Sequence, residues 1–132
     1  MNRISPPARY EYVTGARSWL SGTRKLALMA GDHVDSLAHV TLDLVAGDVV
    51  ATYTLAGLDV EPDGLAVADD LVLTGIAPGT DYLGLWIYED TGTPSTSRLE
   101  AWFDTQDNDT PLGGTTAGVD PVLTWSSGVF RL

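Results

Sequence analysis

Leu83-Gly84-Leu85-Trp86-Ile87-Tyr88 is the most apolar stretch of the chain. Apolar residues fall on both parities of the run, so a strand here has no face to give to water. It therefore reads as a central strand covered on both sides. Residues 90–97 follow, rich in Thr, Ser, Gly and Pro. Short hydroxyl side chains bond their own backbone and favour a turn. Residues 98–104, Arg-Leu-Glu-Ala-Trp-Phe-Asp, then return as the hairpin partner.

Working outward, the same grammar recurs. Residues 25–29, 40–44, 49–55 and 69–76 read as strands, with 49–55 alternating Val49, Ala51, Tyr53 and Leu55 against Val50, Thr52 and Thr54. Ala46-Gly47-Asp48, Pro62-Asp63-Gly64 and Pro78-Gly79-Thr80-Asp81 are turn signals between them. Residues 105–120 form a polar loop containing Gly113-Gly114, and 122–125 and 129–132 close the chain as strands around Ser126-Ser127-Gly128. One helix is expected over 9–21, because Tyr12, Ala16, Trp19 and Leu20 fall on one helical face and Gly22 suits its C-terminal cap. Gly15 weakens it from within. Pro6-Pro7 marks residues 1–8 as an extended arm, since proline does not enter a helix interior. The expected fold is thus mainly β: an antiparallel β-sandwich or barrel-like domain over 9–132, with one short N-terminal helix and an extended N-terminal arm.

The 132 residues suffice for one domain with a core, and 44% are apolar. The net charge of −11 is uneven. Arg3, Arg9, Arg17, Arg24 and Lys25 face only Glu11 in the first 25 positions, whereas the remainder has Arg98 and Arg131 against every other acid. An acidic body repels phosphate, so nucleic acid is not an expected partner. A basic segment on an acidic body suits contact between copies or with an acidic neighbour. Arg3, Ile4, Arg9, Arg17 and Arg98 are the candidate subunit contacts, although for Arg98 pairing with Glu89 or Asp90 across the hairpin is the first expectation and the subunit contact the alternative. No secretory leader or apolar membrane-length run is present in the sequence, so synthesis in the cytoplasm and no membrane partner are expected.

Chemistry is sparsely signalled. Without cysteine there is no thiolate nucleophile, disulfide or sulfur-ligated metal. His33 and His39 stand beside no nucleophile motif and read as structural histidines. Asp104, Asp107 and Asp109 offer oxygens for calcium, but their spacing does not follow an EF-hand and no bidentate Glu follows, so no metal or other cofactor is expected. Asp69-Asp70 and Glu89-Asp90 are neighbours that a strand would point to opposite faces, which is unsuited to paired-carboxylate hydrolysis. Trp86, Trp102 and Trp125 lie in apolar runs and are expected in the core rather than on a sugar platform. An enzyme is not expected.

The last fifty residues carry a resemblance. Leu85-Trp86-Ile87-Tyr88-Glu89-Asp90-Thr91-Gly92-Thr93, Ser97-Arg98-Leu99, Gly113-Gly114, Leu123-Thr124-Trp125 and Phe130-Arg131-Leu132 together resemble a pattern in small virion structural proteins of tailed bacteriophages. The chain departs from it at 115–120, where the family usually runs straight on. The resemblance implies a virion component, a small minor tail or tail-tip protein first, with a capsid decoration protein as the other location. Its partners would be other virion proteins and copies of itself, in an oligomeric setting. A receptor- or glycan-binding module is the competing function.

Overall fold

In the computed structural model, which describes residues 2–105, 113–115, 120–125 and 128–131, the expected hairpin is the middle of the molecule. Eleven strands and one α-helix are described: β1 (Arg3–Ile4), α1 (Pro6–Val13), β2 (Thr23–Ala30), β3 (Val49–Thr54), β4 (Asp59–Val60), β5 (Leu65–Val67), β6 (Leu71–Val72), β7 (Asp81–Asp90), β8 (Leu99–Phe103), β9 (Gly114–Thr115), β10 (Val122–Leu123) and β11 (Phe130–Arg131). The main sheet runs β1-β8-β7-β2-β3, all antiparallel, with β9 on the start of β7. Two small sheets, β11-β5-β4 and β10-β6, accompany it. The fold is mainly β with one short helix, as the sequence pattern predicts.

Strand alternation divides the core into two layers. Leu26, Leu28, Leu85, Ile87, Ala101 and Phe103 point to one face, where they meet Trp19, Leu55, Ala66, Leu73, Leu123, Trp125 and Phe130. Ala27, Met29, Trp86, Tyr88, Leu99 and Trp102 point to the other, with Val45, Leu42 and Val49 packed on them. Residues 84–88 are buried along their whole length, which explains why the run is apolar on both parities. Gly84 is required by close approach: a Cβ there would sit 2.5 Å from Phe103 O and 2.9 Å from the Trp102 ring. All four tryptophans are buried, Trp19 included.

The hairpin turn does what its composition implies. Asp90 Oδ1 accepts from Gly92 N at 3.0 Å, Ser97 Oγ donates to Thr93 O at 2.9 Å, and Thr96 Oγ1 donates to the same carbonyl at 3.1 Å. Asp90 also holds Lys25 Nζ at 2.9 Å. These contacts, the Lys25 hydrogen bond first and the Gly92 N–H next, hold its carboxyl below the usual carboxylate range.

Several expectations are corrected. Residues 2–8 do not form one extended arm: Arg3 and Ile4 pair with Trp102 and Ala101 as an edge strand of the chain's own sheet, and the helix starts at Pro6. Proline is excluded from a helix interior but suits its first turn, where the backbone N–H has no intrahelical acceptor. The helix stops at Val13 rather than at residue 21, because Gly15 turns left-handed at φ 78° just past the cap residue Thr14. Gly22, at φ 80°, instead turns the chain into β2. Residues 40–44 hold one bridge, Thr41 to Arg98, and a short 3-10 helix in place of a strand. Only Leu71–Val72 of the expected 69–76 strand pairs. The Ser126-Ser127 turn and Leu132 lie outside the described residues.

Deleting residues 2–8 would remove β1 and the first turn of α1. We expect the truncated chain to melt several degrees below the full chain by circular dichroism, since a loss of about 1 kcal/mol moves a domain of this size by several degrees. An unchanged melting temperature would mean that the segment contributes nothing to the fold.

Candidate functional site

A charged residue within an apolar strand needs a partner, and β8 contains one. Its register on β7 jumps between Ile87↔Ala101 and Tyr88↔Leu99, leaving Glu100 as the extra residue of a bulge. A bulge re-aims a side chain. Glu100 accordingly turns toward α1 and is fully buried, as is Arg24 from β2. Arg24 Nε lies 2.5 Å from Glu100 Oε1. Tyr12 of α1 donates its hydroxyl to Glu100 Oε2 at 2.6 Å, and Arg17 Nη1 reaches the same oxygen at 3.2 Å.

The cluster extends outward in alternating charge. Glu89 accepts from Arg17 at 2.9 Å and lies 3.0 Å from Arg24, Glu11 holds Arg17 at 2.7 Å, and Arg98 reaches Glu11 at 3.3 Å. Three arginines thus meet three glutamates, so the group is neutral as a whole. Arg24 also donates to the carbonyls of Ser18 and Ser21, tying the chain between α1 and β2 to the sheet. Trp19, in that connecting stretch, buries its ring edge-on against Phe130 at 5.1 Å and donates Nε1 to Val67 O at 3.1 Å.

Burial pushes the Glu100 carboxyl above the ordinary glutamate value, while the Arg24 and Arg17 charges and the Tyr12 hydrogen bond pull it part of the way back. The Tyr12 hydroxyl is pushed well above the usual phenol value by burial first, and then by the Glu100 charge beside it. The Glu100 carboxyl is thus fully buried, with one oxygen shared by Tyr12 and Arg17 and the other against Arg24. The arrangement fastens α1, β2 and β8 together.

The sequence candidates scatter. Arg3 turns inward: it forks onto Asp35 at 3.0 and 2.7 Å and lies over the Trp86 ring at 5.0 Å. Ile4 packs against the first core layer. Arg17 belongs to the buried cluster. Arg98 pairs with Glu11, not with Glu89 or Asp90, because Arg17, Arg24 and Lys25 occupy those two acids. Arg9 alone stands exposed with no ion pair among the described residues. Arg24 and Glu100 did not figure among the candidates, although a lone Glu between Leu99 and Ala101 in an apolar hairpin strand was the available signal.

His33 is buried with Nδ1 2.8 Å from Asp48 Oδ2, and its ring packs on Trp102 at 5.3 Å and His39 at 5.5 Å. Among the described residues its Nε2 has no hydrogen-bond partner. Among the described residues no three His, Cys, Asp or Glu side chains converge as a metal site, and Asp107 and Asp109 of the calcium expectation lie outside them. A cleft of about 630 Å³ opens beside Ile4, Phe103, Leu123, Trp125 and Phe130. Its walls also include Arg9, Thr105 and Gly113. No helix among the described residues is long and apolar enough to cross a membrane. No protein family, curated protein or solved structure matches the chain.

Two measurements test the buried cluster. Arg24→Met leaves Glu100 buried without its main partner and should cost about 3–5 kcal/mol in urea unfolding, whereas Arg24→Met with Glu100→Leu should recover most of that loss. Failure of the second substitution to rescue the first would show that the pair is not the coupling element. The pH dependence has a defined sign. A raised Glu100 value means the folded state keeps that proton longer, so the associated stability is present at low pH and is lost as pH rises through and above the ordinary glutamate range. The stability of the wild type relative to Glu100→Gln should therefore fall as pH rises through that window. A constant difference would contradict it.

Proposed function

We propose that this chain is a structural component of a tailed-bacteriophage virion, a small minor tail or tail-tip protein. One observation carries the reading best. The buried ionisable side chains, Arg24, Glu100 and His33, are engaged with partners of the same chain, while Tyr10, Val13, Val34, Leu37 and Leu44 remain exposed. Such a chain has surfaces to cover rather than a reaction to run. The resemblance adds the setting. Its residues Leu85–Asp90 and Leu99 belong to β7 and β8, the strands around which the sheet is built, so the shared string is a framework string and would be retained wherever this fold is used as a building block. Capsid decoration remains the other location in a particle.

The reading is tested on intact particles. Phage particles purified through a density gradient from the native host should contain the protein at a fixed ratio to the tail proteins, and gold-labelled antibody should mark the tail or its tip. Labelling over the head would move it to the capsid surface. Its absence from purified particles would remove the virion reading.

A glycan-binding module is the competing function, and the buried tryptophans argue against it. Sugar platforms need exposed rings, and Tyr10 is the one strongly exposed aromatic ring among the described residues. Tryptophan emission should resist aqueous iodide and stay unchanged on titration with soluble glycans. A saturable spectral shift with a glycan would favour the binding module.

A further inference from the structure

Six of the seven basic side chains are paired within the chain: Arg3, Arg17, Arg24, Lys25, Arg98 and Arg131. Arg9 is the exception. It projects from α1, and Val13 follows it by one helical turn on the same side, with Tyr10 adjacent to both. Tyr10 is 71% exposed and Val13 79%. The only acid in the helix, Glu11, is taken up by Arg17 and Arg98. The outer face of α1 is therefore an apolar ridge with one uncompensated positive charge.

A second exposed apolar region has the opposite character. Residues 31–48 contain four aspartates and no lysine or arginine. Arg3 occupies Asp35 and His33 lies against Asp48, but Asp32 and Asp43 have no ion pair among the described residues. In the same segment Val34 is 77% exposed, Leu37 68% and Leu44 52%. Internal contacts hold this surface in place: Leu42 N donates to Ser97 O at 2.9 Å, Asp43 N to Pro94 O at 3.3 Å, and Val45 is buried.

The two regions lie on opposite sides of the central sheet. Tyr12 and Ile4, on and beside α1, pack on the layer of Leu26, Leu28, Leu85 and Ile87. Leu42 and Val45 pack on the layer of Ala27, Met29, Trp86 and Tyr88. One molecule cannot bring its own two patches together. A second copy can.

We propose that the chain associates head to tail, the α1 ridge of Arg9, Tyr10 and Val13 seating on the Asp32, Val34, Asp43 and Leu44 surface of a second copy. Apolar side chains supply the contact, and Arg9 opposite Asp32 or Asp43 sets its polarity. A contact between two different patches leaves one of each free at the ends, so repetition gives a ring or a filament rather than a closed pair. The net charge of −11 opposes association at long range, but at about 0.15 M salt the screening length is about 8 Å, short enough for the local match to decide. This inference names the partner that the virion reading calls for. Association in solution combined with absence from particles would remove that reading and leave this contact standing.

Sedimentation of the full chain at that ionic strength, with two variants, tests it. Arg9→Glu/Val13→Ser blunts the ridge, and Val34→Ser/Asp43→Lys blunts the acidic patch. These sites are outside the core, and thermal melts verify that both variants stay folded. The wild type should grow in mass with concentration, and each variant alone should associate at least tenfold more weakly. Mixed together, the two variants should give one-to-one dimers and nothing larger, because each retains the face that the other lacks. A wild type that is monomeric up to about 1 mM would overturn the proposal. So would a mixture that stays monomeric, or a single variant that dimerises as well as the wild type.

Discussion

Glu100 has no place in an ordinary strand of this sheet. In strict alternation with Ala101 it would point into the layer of Trp86, Tyr88 and Trp102, away from Arg24, Arg17 and Tyr12. The bulge between β7 and β8 turns it to the other side, beside Arg24, Arg17 and Tyr12. The bulge and the ion cluster therefore require each other. Without the cluster, the re-aimed carboxylate would be a buried charge with nothing opposite it. Without the bulge, Arg24 would keep only the partly exposed Glu89 as its ionic partner.

The same cluster explains how so little helix is kept in place. α1 has eight residues, too few for independent stability. It is held at one end by Ser5 N donating to Glu100 O at 2.7 Å, and along its inner side by Tyr12 and Glu11 reaching into the cluster. The irregular stretch to β2 is held by Arg24 and by Trp19. Polar groups here give direction, whereas apolar burial supplies the drive. The cost of burying charge shows in the raised Glu100 carboxyl.

Using charge this way empties the surface near α1 of free cations except Arg9. The segment that looks basic in the sequence is largely neutral once folded, since its arginines are paired inward. What remains outward on α1 is mostly apolar, and the acidic excess lies elsewhere on the molecule.

The sequence by itself determined the β character, the central strand and its hairpin. Those signals are local: a run that is apolar on both parities needs two covered faces, and a string of hydroxyls and glycine makes a turn wherever it stands. It also placed Trp86, Trp102 and Trp125 inside, for the same reason. The helix boundaries were less legible, because Pro6 and Gly15 each permit more than one role and neighbouring contacts select among them. The fate of the arginines was decided by tertiary structure alone. Arg3, Arg17 and Arg98 look alike in the chain, yet one forks onto an aspartate over a tryptophan, one enters a buried cluster and one caps that cluster's edge. Their partners lie tens of residues away, except Glu11 for Arg17, and the bulge that brings Glu100 among them is a product of strand register. No local pattern encodes a register shift, because it is settled only when two strands pair and the side chains on both faces find their layers.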